Sequence, residues 1–374
     1  LPVDGPIVIL LTIDSLRADV LDSKKHDNQL PTLAALRDSS LYFTEARAPG
    51  SQTVYTLSEL FMGKYFSQQY WSRHPALPDL WPDDDDSVRF PQLLTDAGIP
   101  TVHYATTKWL VGEVGIVRGF AEEQFIEPAK TRYTLSSETF PLLIKRLEDH
   151  PGGPLFIYTH ILDAHFTVSP IPGNGAKKKY LNNLEVVDGN IRWLLDTLDR
   201  LKLRDRTYLI ISSDHGEAFG EHNTYNHRYT IYEELLRVPL LIAGPRIKAR
   251  PIDTPVSVID IGPTILDLFG QPVPGPYMGE SLAGFVRGGS PKLTRPIAAE
   301  TRLKRGLIFP DGFKAILDDR HGTAEVYNLK ADPGELINLL DADDPRAAAR
   351  VNTTRKFFDT HMIQRKGYKI PFRP

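Results

Sequence analysis

Five short apolar runs divide the first 243 residues of the chain, and the spacing between them sets its architecture. Pro6-Ile7-Val8-Ile9-Leu10-Leu11-Thr12-Ile13 is continuous, rich in β-branched residues and closed by Asp14. Such a run is the signature of a strand buried on both faces. Thr101 to Ala105, Leu155 to His160, Thr207 to Ser212 and Val238 to Ala243 read in the same way. Helical periodicity occupies the stretches near Thr32 to Asp38, Leu135 to Glu148, Leu181 to Leu203 and Val258 to Phe269. Strands alternating with helices predict an α/β fold, a mostly parallel sheet sandwiched by helices. Beyond residue 290 the runs shorten to Pro296–Glu300, Arg305–Ile308, Phe313–Leu317 and Thr323–Tyr327, followed by a helical pattern near Arg346 to Thr360. That change predicts a small antiparallel α+β subdomain over 291–374, appended to a larger α/β domain over 1–290. Tyr70 to Arg89 has no periodicity and is expected as a surface loop; no internal repeat is present.

Composition narrows the possibilities. At 374 residues the chain exceeds the usual single-domain size, which suits a large domain with an appendage. Its 44 basic and 47 acidic side chains leave a net charge of −3, too balanced to form an electrostatic footprint for nucleic acid. The absence of cysteine excludes disulfides, thiolate zinc sites and thiol nucleophiles. No apolar run reaches the roughly 18 residues needed to span a bilayer. The chain starts at Leu1 with a hydrophobic strand close behind it, so a signal or membrane anchor is expected upstream, and with it an extracytoplasmic location.

Candidate chemistry gathers where the strands end. Ser213-Asp214-His215-Gly216-Glu217 follows the run Tyr208-Leu209-Ile210-Ile211, and His222 and His227 lie just beyond it. In open α/β sheets ligands and metals are held outside the carboxyl ends of the strands, so this segment points to a metal site. Asp14 leaves the first strand, with Arg17 over the same rim; its carboxylate suits a hard or borderline cation, although taken alone an Asp at a strand-to-helix turn is more often a helix cap. Thr53, in Gly50-Ser51-Gln52-Thr53, is placed to open a helix. There free N–H groups favour an anion and a developing alkoxide, although a simple N-cap is the alternative. His160-Ile161-Leu162-Asp163-Ala164-His165 leaves a further strand and can bind metal, protonate a leaving group or clamp an anion. Of its two histidines, His160 is expected to be structural.

Taken together these segments resemble the sulfatases and their relatives in the alkaline phosphatase superfamily. Asp14-Ser15-Leu16-Arg17-Ala18-Asp19 resembles the family's opening metal-binding turn, and Leu30 to Leu36 its following helix. Ala48-Pro49 through Gly63 resembles the nucleophile segment, which places Thr53 in the nucleophile position. Leu162-Asp163-Ala164-His165 is similar to the substrate-contacting turn. Asp214-His215-Gly216-Glu217, with Gly220-Glu221-His222 and Tyr232 to Pro239, is the most specific match. Asp260-Ile261-Gly262-Pro263-Thr264 and Glu325 to Leu329 with Asp332-Pro333-Gly334-Glu335 resemble the late helix and the C-terminal signature.

One departure from the family pattern is informative. Sulfatases use a formylglycine made from Cys or Ser within Cys/Ser-x-Pro-x-Arg, whereas this chain reads Thr53-Val54-Tyr55-Thr56-Leu57. A threonine ester has no aldehyde hydrate through which to collapse and must be attacked by a second nucleophile. Threonine here resembles the relatives that handle phosphate, namely phosphodiesterases, phosphonate hydrolases and phosphoethanolamine or glycerolphosphate transferases. The resemblance therefore implies phosphoryl transfer through Thr53, with sulfate ester hydrolysis as the alternative and a catalytically silent anion-binding module as a third reading. Ser15 stands where a second family Asp is expected, which implies one divalent cation held by Asp14, Thr53, Asp214 and His215. Zinc or manganese is favoured over calcium or magnesium. His165 and His227 are expected to hold phosphoryl oxygens, protonate the leaving group or carry a second zinc. His227 is preferred to His222, because its twelve-residue step from His215 resembles the transferases. Arg17, Asp163 and His222 complete the expected substrate contacts. Lys108 lies near the family's substrate lysine and reads equally well as a solvated surface side chain. The implied partner is a phosphate or sulfate ester, lipid-linked or glycan-linked, recognised by loops such as 70–89 and 170–179.

Overall fold

A computed structural model describes residues 5–74, 77, 80–129, 131–165, 175–227 and 230–368. Eight strands form the main sheet: β1 Ile7–Ile13, β2 Leu41–Phe43, β3 Thr101–Ala105, β4 Glu122–Phe125, β5 Leu155–Ile161, β6 Thr207–Ser212, β7 Leu240–Ala243 and β8 Arg250–Ile252. Their order is β8-β2-β7-β6-β1-β5-β3-β4. Every pairing is parallel except those of β7, which runs antiparallel to β6 and β2. The expected α/β class, a mostly parallel sheet between helices, is the observed one.

Parity along the central strands builds the site. Side chains alternate across a strand, so even and odd positions of β1 face opposite layers. Ile7, Ile9 and Leu11 pack with Leu155, Ile157, Leu209 and Ile211 against helices α3 (Ser136–Glu148) and α4 (Ala176–Arg200). Val8 and Leu10 pack with Phe156, Tyr158 and Ile210 on the opposite face, against Leu57, Leu60 and Phe61 of helix α2 (Thr53–Met62). The parallel register sets Thr12 beside both His160 and Ser212. Continuing the even series carries Asp14 and Asp214 past the strand ends on the face that α2 covers. Helices α1 (Pro31–Ser39) and α5 (Ile261–Leu268) complete the two helical layers.

The C-terminal part is a four-stranded antiparallel sheet of β9 Ile297–Glu300, β10 Lys304–Ile308, β11 Phe313–Asp318 and β12 Thr323–Asn328. Helix α6 (Pro345–His361) covers one face, where Ala347, Val351 and Phe358 meet Leu307, Ala315, Leu317 and Val326. From the other face Ile297, Ala299, Ile308 and Ile316 pack on Ile231 and Leu236 of the main layer. The Glu300 amide donates to the Pro49 carbonyl at 2.8 Å, which anchors the turn before Thr53 to this sheet. Within the stretch expected as an unpatterned loop, Ser72–Arg73 pairs antiparallel with Leu80–Trp81.

Candidate active site and metal centre

Asp14, Thr53, Asp214 and His215 converge at the carboxyl ends of β1 and β6. One donor atom from each of Asp14, Asp214 and His215 lies within 4.8 Å of the others, and all three residues are fully buried. The Thr53 hydroxyl, at the first position of α2, is 3.2 Å from Asp14 Oδ2 and 3.3 Å from His215 Nε2. Ser15 adopts φ +60°, a strained conformation for a non-glycine residue. This conformation brings the Ser15 amide to Asp214 Oδ1 at 3.3 Å, alongside the His215 amide at 3.0 Å, while the Ser15 hydroxyl donates to Asp14 Oδ1 at 2.6 Å. Asp214 Oδ2 is buried and left without a hydrogen-bond partner. Gly216 makes the turn possible, since a Cβ there would lie 2.1 Å from the Glu234 carbonyl oxygen.

The donor set fits a divalent cation. Asp14, Asp214 and Glu217 are buried together, and among the described residues no lysine or arginine pairs with their carboxylates. Buried charges of one sign require a counter-charge or a proton. His215 Nδ1 is 2.8 Å from the Gly216 carbonyl oxygen, a contact that assigns the ring proton to Nδ1 and leaves the Nε2 lone pair facing Asp14, Thr53 and Asp214. Burial opposes the charge on Asp14, yet His165, His160 and His215 outweigh it and hold the carboxyl well below its usual range. Glu217 lacks enough such compensation, and burial pushes its pKa to about 7.

The remaining expected residues divide into two groups. His227 stands beside His215 with ring centroids 4.3 Å apart, and His165 lies 5.3 Å from His227. Glu217 Oε2 orients His227 through a 3.3 Å contact to Nδ1. Burial lowers the pKa of His165. Four other side chains have partners of their own. Arg17 binds Asp19, Glu221 and the Glu217 carbonyl. Asp163 accepts from both the amide and the hydroxyl of Ser136, at 2.8 and 2.6 Å. His222 pairs with Glu234 at 3.0 Å and stacks on Tyr232. Lys108 is 71% exposed and 3.8 Å from Glu127. Residues 75, 76, 78 and 79 of the first expected recognition loop and 170–174 of the second lie outside the described residues.

Some participants carry no sequence signal of their own. His160, expected to be structural, is fully buried and hydrogen-bonded, but its partners are the site carboxylates: Nε2 is 3.3 Å from Asp14 Oδ2 and 3.7 Å from Asp214 Oδ2. Its Nδ1 is 2.7 Å from the Thr12 hydroxyl, which in turn meets Tyr158 at 3.1 Å. The available clue was polar residues of one parity near the ends of these apolar strands, Thr12 in β1 and Tyr158 and His160 in β5.

The fold and the strand-end site define an alkaline phosphatase-like α/β protein. The chain belongs to the Sulfatase family, whose model matches residues 6–271. It is 32% identical over 191 residues to the choline-sulfatase of Rhizobium meliloti (strain 1021), covering 49% of this chain and 36% of that protein. It is 34% identical over 181 residues to the N-acetylglucosamine-6-O-sulfatase of Bacteroides thetaiotaomicron, covering 44% of this chain and 32% of that protein. The chain thus matches about a third of the length of these curated relatives. Among solved structures, a 2-O GAG sulfatase superposes with a TM-score of 0.78 at 19% identity, covering 95% of this chain and 91% of that one. The phosphonate monoester hydrolase from Silicibacter pomeroyi gives 0.76 at 17% identity, covering 95% of both chains.

Proposed function

We propose that this protein is a metal-dependent hydrolase or transferase of phosphate esters, with Thr53 as the nucleophile. The observation carrying this reading is the position of the Thr53 hydroxyl, at the start of α2 and within 3.3 Å of two candidate ligands. Asp14, Asp214, His215 and Thr53 would hold the cation; when bound, it lowers the hydroxyl pKa and neutralises charge on a phosphoryl oxygen. With His215 Nε2 holding the cation, the Thr53 proton passes to Asp14 Oδ2, 3.2 Å away, or to water, and the α2 N-terminus favours the resulting alkoxide. In-line attack forms the Thr53 Oγ–P bond and breaks the bond to the leaving alcohol, giving a phosphothreonine ester. Water or an acceptor alcohol then cleaves that ester and regenerates the hydroxyl. His165 and His227 face the same space and supply a proton to the departing oxygen or hold non-bridging oxygens.

Sulfate ester hydrolysis is the second reading, favoured by relatives named choline-sulfatase and N-acetylglucosamine-6-O-sulfatase. Paired assays with an aryl phosphodiester and an aryl sulfate separate the two. The phosphoryl reading expects faster diester cleavage and a loss of about 10³-fold or more in kcat/KM in Thr53→Ala. Faster sulfate cleavage, lost in the same variant, selects the second reading instead.

A further inference from the structure

One buried acid on the nucleophile helix takes no part in the proposed reaction. Glu59 lies in α2, between Thr53 and the end of the helix, and is fully buried. Neither of its carboxylate oxygens makes a hydrogen bond of ordinary geometry, and among the described residues no cation pairs with it. Burying an unpaired carboxylate costs so much that such a group keeps its proton instead. The surroundings act in the same direction. Burial, and then the neighbouring Glu300, push the Glu59 pKa well above its ordinary value of 4.5, and the approach of the Phe66 amide opposes them only in part.

Glu300, the last residue of β9, fastens both ends of the segment that carries Thr53, and it too is buried. Ahead of Thr53 its amide donates to the Pro49 carbonyl at 2.8 Å. Its own carbonyl oxygen would lie 3.0 Å from a Cβ at Gly50, so the turn into α2 rests against its backbone. Beyond α2 its Oε1 accepts from the Ser67 hydroxyl at 2.7 Å and from the Ser67 amide at 3.3 Å. Two such donors suit a charged Glu300, which leaves Glu59 as the acid that stays neutral. Tyr65, also buried, feels Glu59 and Glu300 together with Asp260 and Arg295. Arg295 is committed to Asp260 and Glu280 and supplies Glu59 with no counter-charge. Ionising Glu59 therefore sets a second buried negative charge against the residue that fastens both ends of α2.

We propose that Glu59 is a positioning residue that must stay uncharged: as a neutral acid it lets α2 seat Thr53 against the C-terminal sheet, and as a carboxylate it repels Glu300 and displaces the helix. The effect on rate rests on the Thr53 reading above. Glu59→Gln keeps the shape and cannot ionise, and it tests the proposal in three ways. In the infrared difference between wild type and variant at about pH 7, wild type is expected to show the carbonyl stretch of a protonated carboxylic acid that the variant lacks. A group whose folded value is raised contributes its stability fully below 4.5 and loses it as pH rises through the folded value. Glu59→Gln is therefore expected to melt close to wild type near pH 4.5 and above it by a growing margin as pH rises to about 9. With metal-loaded protein and an aryl ester, kcat of the variant is expected within about twofold of wild type near pH 6 and at least about threefold above it near pH 9, with KM changed less than about twofold at both. Glu300→Gln removes the opposing charge and is expected to shrink the alkaline loss of kcat as well. Absence of the acid band, a melting difference that does not grow with pH, or an alkaline loss of kcat that survives both substitutions overturns the proposal. The ester reading fails separately, if Thr53→Ala turns over aryl esters at the wild-type rate; the acid band and the melting difference do not depend on that outcome.

Discussion

Thr53 and its neighbours show how far single residues could be read. Asp14, Asp214 and His215 were legible because each follows an unmistakable strand, and strand ends are where such folds place ligands. Ser15 was legible as a departure from the family pattern, but its strained φ of +60° and its hold on both carboxylates depend on the turn. Arg17, Asp163 and His222 carry the right chemical groups at the right spacing, but other side chains engage them, Glu221 and Asp19 for Arg17, Ser136 for Asp163 and Glu234 for His222. Spacing along a chain reports which groups are near one another and says nothing about which are already engaged. A direct consequence concerns Asp214, whose Oδ2 is buried without a hydrogen bond, 3.3 Å from His215 Nε2. Asp214→Asn keeps the two amide contacts to Oδ1 and removes the charge, so divalent cation affinity measured calorimetrically should fall at least about tenfold. Unchanged affinity would remove Asp214 from the ligand set.

Among the elements, the long apolar strands were readable and the short or polar ones were not. β4 is Glu122-Glu123-Gln124-Phe125, an edge strand with little apolar surface, and β8 contains Pro251, which is tolerated only at an edge. β2 has three residues, too few for any period to register. Parity of β1, β5 and β6 explains why Asp14, His160 and Asp214 share the face that α2 covers, and sequence alone could not supply the register that aligns the strands. At this scale Asp163 joins elements. Its carboxylate holds the first residue of α3 through Ser136, and Asn190 of α4 donates to the same Ser136 hydroxyl at 2.8 Å. Burial raises the Asp163 pKa to about 6, and the Ser136 contacts oppose that rise. Asp163→Ala should cost about 1–2 kcal/mol in chemical denaturation, the usual effect of losing a helix-start acceptor. If stability were unchanged while KM rose, the side chain would belong to substrate binding instead.

Across the whole molecule, a buried charge cluster fastens the C-terminal sheet to the main layer. Lys314 of β11 is fully buried, 3.1 Å from Glu233 and 2.9 Å from Glu335, and Glu233 also meets Arg47 at 2.8 Å. Both cations meet Glu233, whereas among the described residues Glu335 has Lys314 alone. Burial opposes the charge on Glu233, but Arg47 and Lys314 outweigh it and hold its pKa at about 2. Burial pushes Glu335 to about 7 despite Lys314. The two act in opposite windows. Glu233 is easier to ionise when folded, so its contribution is complete above its ordinary value of 4.5 and is lost as pH falls toward 2. Glu335 keeps its proton longer when folded, so its contribution is present below 4.5 and fades as pH rises toward 7. Glu233→Gln leaves Arg47 and Lys314 short of a counter-charge and should destabilise the protein by about 3–5 kcal/mol at neutral pH. Thermal melts between pH 2 and 4.5 should then lose the part of their slope that Glu233 supplies, while Asp14 and other carboxylates held below their ordinary values keep the remainder; an unchanged slope would place the acid sensitivity elsewhere. None of this cluster was legible in the sequence, because Arg47, Glu233, Lys314 and Glu335 meet only after both sheets have formed.

If Thr53 is the nucleophile, it carries a phosphoryl ester during turnover. Metal-loaded protein mixed with an aryl phosphodiester, quenched with acid within a single turnover and digested for mass spectrometry, tests it most directly. The expected result is a phosphoryl-ester adduct on the peptide containing Thr53, localised to that residue and absent when Asp214→Asn is treated in the same way. An unmodified Thr53 peptide, recovered while Thr53→Ala releases aryl alcohol at the wild-type rate, would contradict it.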